Sequence, residues 1–239
     1  MKKKIVIVAL TVALLATCFA GTYAYLMDDD YATNVMTMGN VAIEQIEQER
    51  GENGLVNFTQ NKPAYPAVGT IAWADEAITV GGGNQKVFHD GLKNVVDKFV
   101  FVRNTGKSDA YVRTIIALEA PNYDPNDLIH ANCNDTDGVT MTPWTAVDIN
   151  GVKFVYAVFT YTDALAKGKE TPVSLAQVFL DKAATNDDCA AFGDTWEILT
   201  LSQAVQAAGF DNAELALNTA FGAADAANVA DWFEDLTKN

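Results

Sequence analysis

Lys153-Phe154-Val155-Tyr156-Ala157-Val158-Phe159-Thr160-Tyr161-Thr162 decides the fold class. The run is dense in β-branched and aromatic residues, the side chains that fit a pleated, buried strand. It follows Asn150-Gly151. An Asn-Gly pair suits a two-residue hairpin turn because both positions tolerate positive φ, so Val147-Asp148-Ile149 is expected to fold back onto the strand. Working outward, Val95–Val102 is apolar on both faces. A polar turn, Asn104-Thr105-Gly106-Lys107-Ser108-Asp109, separates it from Tyr111–Leu118. The two strands read either as a hairpin or as an arch between sheets. Val35–Ile43 and Trp196–Gln206 are further strand candidates. Strands apolar on both faces are buried on both, by a second sheet or by loops and helices. The sequence therefore predicts a mainly β protein, a jelly-roll-like antiparallel β-sandwich with a few short, mostly C-terminal helices.

Helix signals come late in the chain. Ser174-Leu175-Ala176-Gln177 has the form of a capping box and predicts a short helix towards Lys182. Asp211, with Glu214 three residues on, is expected to cap a helix over Ala213–Phe221. Ala223–Leu236 is Ala-rich, with Val229, Trp232, Phe233 and Leu236 at helical spacing, and reads as an amphipathic terminal helix. Loops are expected over 51–54, 61–69, 81–85 and 121–142, with Gly81-Gly82-Gly83 as a flexible connection.

The chain has 239 residues, 49% of them hydrophobic, with 16 Lys+Arg against 31 Asp+Glu and a net charge of −15. That apolar content supports a core and excludes disordered and collagen-like classes. The acidic excess excludes nucleic acid as the expected partner, since phosphate neutralisation needs clustered cations. Lys2-Lys3-Lys4, the apolar run Ile5–Ala20, and small residues at Thr22 and Ala24 form a secretory signal peptide pattern with its cut between Ala24 and Tyr25. The expected organisation is a signal peptide over 1–24 and a single β-sandwich domain over 25–239. Membrane contact is then confined to the signal peptide before cleavage, and the mature protein is secreted. An uncleaved anchor over Ile5–Tyr25 and a lipoprotein box at Leu15-Ala16-Thr17-Cys18 are the alternatives; Thr17 is a poor residue before such a Cys. Loss of the three N-terminal lysines makes the mature chain more acidic still, so its self-association should respond to salt, pH or divalent cations.

Reactive constellations are sparse. Cys133 and Cys189 are an even pair in the mature chain, and spacing alone leaves open whether they are bridged or are two separate apolar side chains. His89 and His130 are the chain's two histidines, and no His-Glu-x-x-His zinc motif contains them. Gly-x-Ser-x-Gly and phosphate-binding Gly loops do not occur. Asn132-Cys133-Asn134-Asp135-Thr136-Asp137-Gly138 resembles a calcium loop, but aligning its Gly puts Cys133 and Trp144 where carboxylates belong, so it reads as a polar turn. Asp28-Asp29-Asp30 reads as a solvated acidic stretch, because adjacent carboxylates in an extended chain cannot all face one ion. No catalytic residue, metal or cofactor is expected.

After cleavage the chain begins Tyr25-Leu26-Met27-Asp28-Asp29-Asp30-Tyr31, apolar and then acidic. Such a segment either pairs within its own sheet or adds to the open edge of a neighbour. Gly21-Thr22-Tyr23-Ala24-Tyr25-Leu26, with Ala32-Thr33-Asn34 and Gly39-Asn40-Val41, resembles the N-terminus of exported proteins cut by a SipW-type signal peptidase. Val96-Asp97-Lys98, Val102-Arg103-Asn104-Thr105-Gly106 and Asp109-Ala110-Tyr111-Val112-Arg113 resemble that family's arch between strands. Gln203–Phe210, Ala216-Leu217-Asn218 and Ala220-Phe221-Gly222 resemble the C-terminal part of its larger members. The family is the TasA/camelysin group of biofilm matrix proteins. The resemblance implies a jelly-roll subunit exported from a Gram-positive-type bacterium and assembled into extracellular fibres with itself or related matrix subunits. In that scheme Tyr25, Leu26, Met27, Asp28, Asp29, Asp30 and Tyr31 form the strand donated to the next subunit. The acidic triplet departs from what a buried donor strand favours. Camelysin's metalloprotease class is a third reading, without a recognisable zinc ligand set here. A second reading is an extracellular carbohydrate- or surface-binding module using Trp73 or Trp144.

Overall fold

Asn150 and Gly151 lie at φ 53° and 80° and close the expected tight turn. Around it β10 (Thr145–Ile149) pairs antiparallel with β11 (Val152–Tyr161), Ile149 opposite Val152. The computed structural model describes residues 35–38, 40–59, 63–89, 92–123, 128–134, 138–193 and 195–237, with backbone alone for 35–38 and 235–237. The Ala24–Tyr25 cut and the Tyr25–Tyr31 segment lie outside the described residues. From Thr33 onward the chain is one compact unit.

One sheet runs β1 (Val35–Met38), β13 (Ile198–Gln206), β7 (Ala110–Glu119), β11, β10, with β9 (Val139–Met141) also on β11. The facing sheet runs β3 (Gly54–Asn57), β2 (Ile43–Gly51), β6 (Val96–Asn104), β12 (Leu175–Leu180), β8 (Ile129–Cys133). The strands β4 (Ile78–Val80) and β5 (Gly83–Gln85) form a separate hairpin. Between the two large sheets the chain passes from β1 to β2, β6 to β7, β7 to β8, β8 to β9, β11 to β12, and β12 to β13. The fold is thus the jelly-roll-like β-sandwich expected from the sequence, and the Asn104–Asp109 turn is an arch rather than a hairpin. Ladders between described strands are antiparallel apart from β1 on β13.

Both-sided apolarity has a direct cause. Ile116, Leu118, Val155, Ala157 and Phe159 of one sheet meet Val100, Leu175, Val178 and Leu180 of the other in the central core. The alternate residues Ile115, Ala117, Phe154 and Leu201 are covered from outside by Val229 and Phe233 of α3 (Ala226–Thr237). Ala213, Ala216 and Leu217 of α2 (Ala213–Phe221) pack on Val205. On the other outer face Phe99 and Phe101 lie under Val80 and Val87.

Several local expectations are overturned. Ser174–Gln177 opens β12, not a helix: every residue of Leu175–Leu180 is buried between β6 and β8, so long-range pairing overrides the capping pattern. Ser174 spends its hydroxyl on the Tyr161 phenol at 2.6 Å. The cap of α2 is Asn212, which accepts from the Leu215 N–H, rather than Asp211. A short α1 (Asn186–Ala190) carries its own capping box between Thr185 and Asp188. The expected 121–142 loop contains β8 and β9. Gly81-Gly82-Gly83 is a tight turn: Gly81 has φ +58°, and a Cβ on Gly82 would lie 2.0 Å from the Glu170 carbonyl oxygen.

Candidate functional site: an open sheet edge and its anchors

Val35 lies opposite Ser202 and Met38 opposite Val205, so the first described strand pairs parallel with the second half of β13. Ile198–Leu201 is paired with β7 on one side and, among the described residues, has no strand on the other. The end of a sheet is where a further strand can add, through backbone donors and acceptors.

The interior beside this edge is polar. Gln45 Nε2 donates to Thr200 Oγ1 at 2.8 Å and to Glu47 Oε1 at 3.1 Å, and Ser202 Oγ donates to Gln45 Oε1 at 2.7 Å. Thr114 Oγ1 and Ser202 Oγ are 3.1 Å apart. Glu47 also receives the Thr200 hydroxyl and the Lys98 ammonium. The Lys98 side chain is 5% exposed and lies 4.1 Å from the centre of the Phe58 ring. The seam joins β2 to β13 through hydrogen bonds, which tie down register more narrowly than apolar contact does.

Two anchors fix the chain where it passes from β1 to β2. The Ala42 carbonyl accepts from both Thr105 N–H at 2.9 Å and Gly106 N–H at 2.8 Å, at the arch. A Cβ on Gly106 would lie 2.6 Å from the Ala42 nitrogen, so the close approach requires glycine. Asn104, fully buried, shapes the arch by donating to the Ser108 and Leu165 carbonyls and accepting from Gly106 N–H. On the outer face Arg113 donates to Gln203 Oε1 at 2.6 Å, Asn218 Oδ1 at 2.9 Å and the Gly222 carbonyl at 2.9 Å. It also lies 5.1 Å from the Trp232 ring. Burial pulls its pKa down to about 10. The sequence stretches around residues 41, 104–106, 113, 203 and 216–222 are thus brought into contact: the first two at the arch, the others on Arg113.

The other singled-out residues lie elsewhere. Cys133 and Cys189 are free thiols, each partly buried against the central core. Burial raises the Cys133 pKa to about 12, which keeps it protonated and unreactive. His130 Nε2 pairs with Asp181 Oδ2 at 2.9 Å. The Asp181 carboxyl is held below its ordinary value first by the Ala183 N–H and then by His130. His89 is exposed, next to Phe88. Among the described residues no three His, Cys, Asp or Glu side chains converge as a metal site. Trp144 packs partly buried against the central core, whereas Trp73 is 44% exposed. The short β1 ladder and the polar seam escaped sequence reasoning; inward-facing Gln45, Glu47 and Glu49 at period two on β2 were the available signal. No protein-family model, curated protein or solved structure matches this chain.

Proposed function

We propose that the protein is a secreted structural subunit of an extracellular biofilm-matrix or surface fibre, assembled by strand donation. The place of β1 carries this reading: the part of the chain that follows Tyr25–Tyr31 in sequence pairs parallel along β13 at the end of its sheet, through the backbone. In this scheme a SipW-type peptidase cuts after Ala24 and frees Tyr25–Tyr31. That segment then adds to the edge of the next copy, or of a related matrix subunit. Each backbone hydrogen bond gained is worth about 0.5–1.5 kcal/mol, so several together sustain a polymer once the ordering cost is met. The acidic Asp28-Asp29-Asp30 triplet, on a chain already strongly negative, makes the addition dependent on salt.

Removal of residues 25–32 from the mature form tests this. Filaments seen by electron microscopy for the mature protein are expected to be absent for the truncated one, which should sediment as a monomer. Unchanged filaments from the truncated protein overturn strand donation.

A further inference from the structure

We propose that Asn53-Gly54 is a site of spontaneous conversion to aspartate and isoaspartate, and that the Asp148 carboxylate shields Asn150-Gly151 from the same reaction. These are the two Asn-Gly pairs of the chain, and both are exposed in hairpin turns. Asparagine is thermolabile, most of all before glycine, whose nitrogen has no neighbouring Cβ to hinder its approach to the asparagine side chain. In the reaction the glycine N–H gives its proton to hydroxide and the nitrogen attacks the asparagine Cγ. The departing amide takes a proton from water and leaves as ammonia, closing a succinimide ring. Water then opens the ring at either carbonyl. One opening gives aspartate, and the other gives isoaspartate, whose backbone runs through the side-chain carbon.

The committing step puts negative charge on the glycine nitrogen, and there the two turns differ. Asn150 and Gly151 form the loop between Ile149 and Val152, and Gly151 N–H donates to Asp148 Oδ1 at 2.8 Å. Taking that proton breaks a charge-assisted hydrogen bond and sets two negative centres side by side. At the other turn the loop is Glu52-Asn53, and Gly54 is the first ladder residue, opposite Gly51. In a hairpin with a two-residue loop the N–H at that position faces the backbone carbonyl across the turn, a neutral acceptor. Every residue of β3 is exposed, and the exposed loop end of a hairpin opens locally at little cost. A Cβ on Gly54 would meet nothing within 4 Å, so the surroundings leave room for a ring to close.

The shield sits on the turn whose loss would reach the core. Isoaspartate adds a carbon to the backbone, which disturbs the register of the strands that meet at the turn. At Asn150 that would pull on β10, whose Val147 and Ile149 are buried with Phe154, Val229 and Phe233. At Asn53 it would shift Leu55 and Val56, which are exposed and carry no core contact of that kind. The modification is therefore directed to the hairpin that can absorb it. Either product adds a negative charge to a chain already at −15. The inference is independent of how the protein assembles, because both turns lie within one chain.

Peptide mapping by mass spectrometry tests it, on protein held in mildly alkaline buffer, with isoaspartyl methyltransferase labelling to mark the isomer. In the folded protein Asn53 should convert at least about tenfold faster than Asn150, the factor that a hydrogen bond to a charged group corresponds to. In the urea-unfolded chain the two rates should draw together. Asp148→Ala should raise the Asn150 rate about tenfold, and Asp148→Asn, which keeps an acceptor without its charge, should give part of that rise. Neither variant should change the rate at Asn53. The comparison of the two sites in the unaltered protein needs no variant to fold. Asn150 converting as fast as Asn53 in the folded protein, Asn53 staying intact there while it converts in the unfolded chain, or an Asn150 rate unmoved by both Asp148 variants overturns the proposal.

Discussion

The two flanks of the sandwich interior solve the same problem with different chemistry. Towards β8 and β11 the sheets meet through Phe159, Leu175, Leu180 and their neighbours, an interior that needs no directional bond. Towards β2 and β13 they meet through Gln45, Glu47, Lys98, Thr200 and Ser202. Apolar packing tolerates small shifts, whereas a hydrogen-bonded seam fixes one register and leaves little apolar surface beside β13. The apolar flank supplies stability, and the polar flank fixes how β2 and β13 lie on each other.

Substitutions can break this contrast. The largest effect is expected from Phe159→Ala on the apolar flank, a loss of about 3–5 kcal/mol measured by denaturant unfolding, because the removed ring leaves a cavity. On the polar flank the two halves of one ion pair should differ. Glu47→Ala leaves the Lys98 ammonium buried beside Phe58 and should cost about 3 kcal/mol, while Lys98→Met should stay within about 1 kcal/mol. Equal losses from both would mean that the pair itself, rather than the stranded charge, matters.

The smallest effect concerns pH. Glu119, at the end of β7, is held above the ordinary carboxyl value of 4.5, chiefly by burial, with the Glu197 N–H bond opposing. A carboxyl whose folded-state pKa is raised costs stability when ionised, so stability should rise as pH falls through the raised value towards 4.5. Glu119→Gln should remove that rise in thermal melts taken across the window, while changing stability at pH 7 by less than about 1 kcal/mol. A wild-type melting profile that matches Glu119→Gln throughout the window would contradict the assignment.

The sandwich was legible wherever a strand carried its own signal. Asn150-Gly151 and the β-branched run after it fixed a hairpin locally, and Val229 and Phe233 marked the buried face of α3 by spacing alone. What was hidden depends on partners distant in sequence. Leu175–Leu180 has a helix-like opening and becomes a strand because β6 and β8 lie on either side. The β4–β5 hairpin looked like slack chain because its glycines answer to the Glu170 and Thr171 carbonyls, far along the sequence. The pairing of β1 on β13 was equally hidden: a parallel partner is a property of what lies alongside a strand, not of its residues. The exposed indole was half visible. Trp73 and Trp144 were equal candidates by composition, and only packing separates the exposed indole from the one against the core.

The bifurcated acceptance by the Ala42 carbonyl has a mechanical consequence. A pull on the chain upstream of Val35, directed along β1, loads the short parallel ladder in shear, so its bonds resist together rather than one at a time. Should that ladder slip, tension passes to Ala42, caught by the two N–H groups of Thr105 and Gly106 at the tip of the arch. The arch lies between β6 and β7, one strand from each sheet, so the force is shared by both layers before β2 begins to peel. A sandwich built this way yields at β1 first and keeps its body intact under load.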